Sequence, residues 1–148
     1  NSDYIGCIDD TCLATGELLA VKDTPFDFNK RKRIGQDLEA DHIQLKNAFG
    51  YDHSFVLNGT ENQLTLEEPV SGRRLIISTT APVVQVYTGN FLKDGCIGKA
   101  GRVYENREGV ALETQLMPNA INTEENPSTI LRKGDKFESN TKYVFEIM

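Results

Sequence analysis

From Tyr51 onward the chain alternates between short apolar runs and turn residues. Residues 51–57, 64–67, 75–79, 83–88 and 143–147 are rich in Val, Ile, Leu, Tyr, Phe and Thr, and turn residues separate them, a pattern that predicts short β-strands. Asn58-Gly59, Pro69 to Gly72, Pro82, Gly89-Asn90 and Lys133-Gly134-Asp135 supply the turns. A further strand-like run, Gly109 to Ala120, carries one carboxylate, Glu113, in its middle and ends on Pro118-Asn119. Before Tyr51 the signal is weaker. Residues 1–16 read as loop with Asp9-Asp10-Thr11 as turn material, Thr24 to Phe28 reads as a packed loop, and residues 35–45 suit one short helix or helical turn. Residues 93–108 are predicted to be an exposed loop. Residues 118–132 read as irregular, with Pro127-Ser128-Thr129 as the start of a helical turn. Short strands at this spacing predict an all-β chain, an antiparallel β-sandwich without a long helix, and no repeat or linker divides residues 1–148.

Period-two alternation assigns faces. In the 109–120 run, Val110, Leu112, Thr114 and Leu116 point one way while Ala111, Glu113 and Gln115 point the other. An acid in such a segment is costly to bury, so Glu113 must be solvated in a cleft, paired, or held protonated for proton chemistry. Its bland role is the polar outer face of an edge strand. Between residues 83 and 88, Val83, Gln85 and Tyr87 share a face. Gln85 can bond a loop backbone, or read a hydroxyl as both donor and acceptor. Asp52 and His53 are adjacent, so they face opposite ways and cannot form a side-by-side acid-base pair. His53 reads as a structural histidine, and Asp52 as either a turn cap or a cleft residue. Two carboxylates and an amide on separate strands, with aromatic residues nearby, make a set suited to sugar hydroxyls.

Composition narrows the classes. Hydrophobic residues are 39% and charged residues 26% of 148, a globular balance, and a chain of this length buries roughly 70% of its unfolded surface. The net charge of −6 repels phosphate backbones, and the one basic cluster, Lys30 to Arg33, lacks interleaved aromatics, so nucleic-acid binding is not expected. No apolar run approaches the roughly 20 residues of a membrane span. Cys7, Cys12 and Cys96 are an odd number without metal-type spacing, and His42 and His53 stand apart from them. Reduced thiols in a cytoplasm, without a zinc site, are therefore expected. No Gly-x-Ser-x-Gly elbow or phosphate-binding glycine loop occurs. The start at Asn1 without an initiator methionine reads as a processed chain or a fragment.

Several stretches, taken in order, resemble the C-terminal half of the aldose 1-epimerase (galactose mutarotase) family. They are Gly16-Glu17-Leu18, Thr24 to Phe28, Gly50 to Leu57, Glu68 to Gly72, Val84 to Asn90, Ala111 to Gln115, Asn126 to Ser128 and Thr141 to Phe145. The resemblance implies that residues 1–148 are the C-terminal part of a single, larger antiparallel β-sandwich domain whose N-terminal half is absent from this chain. It implies a sugar cleft in which Glu113 is the general base toward the anomeric hydroxyl of a free aldohexose, with Asp52 and Gln85 as further sugar contacts. No cofactor is implied. The family's general acid is a histidine in an His-x-Tyr-Phe-Asn motif, and a second histidine and an arginine bind sugar; none of these motifs occurs in this sequence. The implied activity, anomer interconversion of hexoses such as glucose or galactose, thus requires an upstream half, supplied as a separate chain if this one is a natural piece. The alternative from another class is a non-catalytic carbohydrate-binding β-sandwich that keeps the cleft without the proton donor.

Overall fold

Eight strands carry the alternation into three dimensions, in a computed structural model that describes residues 1–93, 97–123 and 129–148. The strands are β1 (Ser2–Ile8), β2 (Ala14–Ala20), β3 (Asp52–Leu57), β4 (Leu64–Glu68), β5 (Arg73–Thr79), β6 (Val83–Tyr87), β7 (Ala111–Gln115) and β8 (Thr141–Ile147). All pair antiparallel, in a five-stranded sheet of order β2-β1-β3-β6-β7 and a three-stranded sheet of order β4-β5-β8. The all-β antiparallel expectation holds. Among the described residues, helix is confined to α1 (Ile43–Ala48) and two short 3₁₀ turns, Ile34–Gln36 and Ala120–Asn122. Among the described residues no helix is long and apolar enough to cross a membrane.

The N-terminal segment departs from its sequence reading. Residues 1–16, read as loop, contain β1 and the start of β2. Glycines at positions 6 and 16 weaken the local strand signal, and pairing of β1 with β3 overrides it. Gly6 has a packing reason as well, because a Cβ there would lie 3.1 Å from Met117 Sδ. The turn residues behave as read. Asp9 Oδ1 accepts bonds from Thr11 N and Leu13 N at 2.9 and 3.0 Å, and the Glu68 carboxylate accepts from Val70 N and Ser71 N at the β4–β5 turn. The helical signal in residues 35–45 resolves into the first 3₁₀ turn and a helix that begins only at Ile43. Residues 97–108 run outside the two sheets, with one isolated bridge between Ile97 and Val103 among the described residues. The Asn126 to Ser128 match, the Pro127-Ser128 turn start and Cys96 lie outside the described residues.

One face of the five-stranded sheet builds the core. Ile5, Phe55 and Val84 project from it against Val21, Phe26, Leu45 and Tyr51. Phe26, from the Thr24 to Phe28 loop, is fully buried and meets Tyr51 edge-on with ring centroids 5.4 Å apart. The Tyr51 hydroxyl donates to Pro25 O at 2.8 Å, and its burial, with Asp37 nearby, raises the phenol's pKa. The three-stranded sheet joins at one corner, where the Thr114 and Thr79 hydroxyls both bond the Thr141 hydroxyl, at 3.0 and 2.8 Å. The opposite face of the five-stranded sheet is left for the site.

Candidate functional site

Register places the candidate residues together. In β3–β6 pairing Ser54 lies opposite Gln85 and Asp52 opposite Tyr87; in β6–β7 pairing Gln85 lies opposite Glu113 and Val83 opposite Gln115. Because side chains alternate, Asp52, Ser54, Gln85, Tyr87, Glu113 and Gln115 all stand on the face turned away from the core. Asp52, Gln85, Tyr87, Phe91, Glu113, Gln115 and Pro118 line an open cleft of about 320 Å³ there. That volume matches the lower end of small-ligand pockets, roughly 300–1,000 Å³.

The polar groups form an ordered relay. Gln85 Nε2 donates to Asp52 Oδ1 at 2.7 Å, and the Ser54 hydroxyl donates to Gln85 Oε1. A carboxylate only accepts, so the amide nitrogen has to face Asp52 and the carbonyl is left to Ser54. Gln85 therefore turns its remaining N–H to the cleft as a donor, while its carbonyl, already bonded to Ser54, keeps one further lone pair. Asp52 keeps its other oxygen. Glu113 stands apart from this relay: it is exposed, and makes no hydrogen bond or ion pair among the described residues. Among the described residues the cleft lining carries no lysine, arginine or histidine.

Tyr87 and Phe91 form the aromatic rim. The Tyr87 hydroxyl accepts a bond from Phe91 N at 2.9 Å, which fixes both residues beside Gln85. Phe91 is exposed and meets exposed Phe49 edge-on at 5.6 Å. Period-two alternation puts Tyr87 and Gln115 on this face, and the sequence assigns neither a role. Ser54 it missed, although its spacing of two from Asp52 was the available signal. Phe91 follows a turn and had no periodic signal at all.

His53 takes the opposite face, as its adjacency to Asp52 requires. It is fully buried, with its ring edge-on to Phe26 at 4.7 Å. Its Nδ1 accepts from Asp52 N at 3.1 Å, which leaves the proton on Nε2, a buried atom without a hydrogen-bond partner. Burial, and secondarily nearby His42, pushes its pKa down to about 3, so it is a neutral core residue. Among the described residues no group of three or more His, Cys, Asp or Glu is arranged to hold a metal ion.

Comparison with known proteins adds relatives. A family model described as aldose 1-epimerase matches residues 1–144. The galactose mutarotase of Homo sapiens is 37% identical over 143 residues, which are 95% of this chain and 40% of that protein. The aldose 1-epimerase of Escherichia coli K12 is 33% identical over 144 residues, 93% of this chain and 41% of that one. Among solved structures, the GalM/aldose epimerase homologue from C. elegans matches with a TM-score of 0.86 at 30% identity, covering 99% of this chain and 44% of that chain. The chain thus spans about two-fifths of the length of the curated relatives it matches.

Proposed function

Because the chain belongs to the aldose 1-epimerase family, we propose that its cleft takes a free aldohexose such as glucose or galactose, and that Glu113 is the base that begins interconversion of the α and β anomers. The observation that carries this reading is the row Ser54–Gln85–Glu113 across three strands, with Asp52 bonded to Gln85 on the same open face. Glu113 has no competing partner among the described residues, so its oxygens are available to a hydroxyl proton. In the proposed reaction Glu113 takes the proton of the anomeric hydroxyl, the oxygen's electrons form the C1 carbonyl, and the bond from C1 to the ring oxygen breaks. The ring oxygen takes a proton from an acid. Rotation about C1–C2 and reversal of these steps close the ring on the other face. Asp52 accepts from a sugar hydroxyl, Gln85 donates to one, and Tyr87 covers the apolar side of the ring.

Among the described residues the acid has no counterpart in the cleft lining, and His53 is on the far side of the sheet. In this reading residues 1–148 are the C-terminal part of one larger sandwich, and the remaining part supplies the acid, in the same polypeptide or as a separate chain. The length relation to the relatives supports it, as does the exposed apolar side of the three-stranded sheet. A cytoplasmic location goes with it, supported by an odd cysteine count that does not make a disulfide framework. The second reading, a non-catalytic sugar-binding sandwich, rests on that same missing acid.

Glu113→Gln tests the proposal. With the rest of the fold present, anomer interconversion followed by polarimetry is expected to fall about 10²–10⁴-fold while sugar affinity changes little. Unchanged turnover would remove Glu113 from the mechanism. Binding without turnover in the unaltered, complete assembly would favour the second reading.

A further inference from the structure

Ser54 was not among the residues the sequence singled out, and it sits where it controls the ones that were. It is 4% exposed, on β3 two residues from Asp52, directly opposite Gln85 on β6. Its hydroxyl donates to the Gln85 carbonyl, and the Gln85 amide nitrogen donates to Asp52 Oδ1 at 2.7 Å. Gln85 and Asp52 are both only partly buried, so water and ligand compete for their polar atoms; Ser54 is shielded from that competition.

We infer that Ser54 is a positioning and specificity-determining residue: by occupying the Gln85 carbonyl it locks the Asp52–Gln85 pair into one acceptor and one donor aimed at the cleft. This rests on the proposed sugar-binding reading. With the relay intact, Asp52 presents its free carboxylate oxygen and Gln85 its second N–H. A single hydroxyl, which both donates and accepts, satisfies both groups. Without Ser54, the Gln85 carbonyl is unpaired and the long side chain is held at Asp52 alone. The carbonyl then competes for the ligand's hydroxyl proton, and the ordering of the amide has to be made at the moment of binding. The recognised chemistry is thus a polyol hydroxyl read in both senses, and ethers or fluoro analogues at that position, which cannot donate, are discriminated against.

The test is a double-mutant cycle in the protein as it is naturally expressed, with D-galactose as the probe and its dissociation constant as the readout. Ser54→Ala and Gln85→Ala are each expected to weaken binding by about 5–10-fold, the loss of one hydrogen bond of roughly 1 kcal/mol. The double variant should bind no more weakly than Gln85→Ala alone, because Ser54 acts only through Gln85. Losses that multiply, or a Ser54→Ala affinity equal to that of the unaltered protein, overturn the inference while leaving the sugar cleft in place. If D-galactose and D-glucose both fail to bind the unaltered protein, the sugar reading itself falls, and the specificity role falls with it. A ligand-free measurement keeps the relay testable if Ser54→Ala does not fold. In the unaltered protein one N–H of the Gln85 side-chain amide should be protected from solvent exchange by Asp52, and the Ser54 hydroxyl proton should be slowed in exchange by its bond to Gln85, both read by NMR. An amide pair that exchanges like a surface glutamine overturns the relay.

Discussion

Asp52 and His53 are neighbours in sequence, and the pleat gives them opposite environments. Asp52 enters the cleft with one oxygen bonded to Gln85, whereas His53 is buried against Phe26 with an unpartnered Nε2. Holding a neutral imidazole there has a thermodynamic signature. The folded-state pKa, about 3, is below the ordinary value of 6.5, so the unfolded chain binds the extra proton. Stability is therefore complete above about pH 6.5 and is lost progressively as pH falls toward 3, with a slope approaching about 1.4 kcal/mol per pH unit. Urea unfolding between pH 6.5 and 5, where most carboxylates have yet to titrate, should show this decline. His53→Leu should flatten it over that window whatever its absolute stability; an unchanged slope would mean another group is responsible.

At the scale of elements, the cleft depends on how β3 is launched from α1. Phe49 closes the helix in the left-handed region, at φ 56°, and Gly50 follows at φ 144° with its N–H on Leu45 O at 3.0 Å. Buried Asn90, just past β6, ties this junction together. Its Nδ2 donates to Ala48 O at 2.8 Å and to Tyr51 O at 3.0 Å, and its Oδ1 accepts from the Thr88 hydroxyl at 2.7 Å. The Gly89-Asn90 pair, which the sequence offers as a turn signal, thus also fixes the entry to the strand bearing Asp52. Asn90→Ala removes the side-chain donor of the Ala48 carbonyl, while Tyr51 O keeps the Thr88 N–H at 3.0 Å, and should lower stability by about 1–3 kcal/mol, measured by urea unfolding. Gly50→Ala should be at least as damaging. Its Cβ would collide with Asn90 Oδ1, lie 3.0 Å from Thr88 Oγ1, and sit on a backbone conformation that L side chains rarely adopt. A loss below about 0.5 kcal/mol in either variant would show that the junction is looser than this network requires.

Over the whole molecule the two sheets differ in how fully they are covered. The five-stranded sheet has a core on one side and the cleft on the other. In the three-stranded sheet, Tyr143, Phe145 and Ile147 project from β8 on one face, opposite Ile77, Leu75 and Arg73 of β5. Phe145 and Ile147 are 77% and 75% exposed, and β8 is an edge strand. Adjacent exposed apolar side chains on an unpaired edge favour association. The chain on its own is accordingly expected to self-associate with rising concentration in sedimentation velocity. Phe145→Lys with Ile147→Lys should shift it toward monomer, with stability nearly unchanged because little buried area is lost. Persistent association in the double variant would place the sticky surface elsewhere.

Sequence alone determined what local rules encode. Turn chemistry at Asn58-Gly59, Gly72 and Gly89-Asn90 marked where strands stop, and period two placed Gln85 with Tyr87, Glu113 with Gln115, and Asp52 away from His53. The ordered motifs from Gly50 to Gln115 pointed to the family. Local rules failed at β1, where Gly6 mutes the pattern and β3, more than 40 residues away, supplies the pairing, and at the start of β2, which pairs with β1 across a short turn. Only the tertiary structure decided register. A slip of two residues between β3 and β6, or β6 and β7, would leave every side chain on the same face and satisfy the same alternation. It would nevertheless separate Ser54 from Gln85 and Gln85 from Glu113. The relay exists because long-range backbone pairing, joined to core packing on the reverse face, selects one register among several that the local pattern allows.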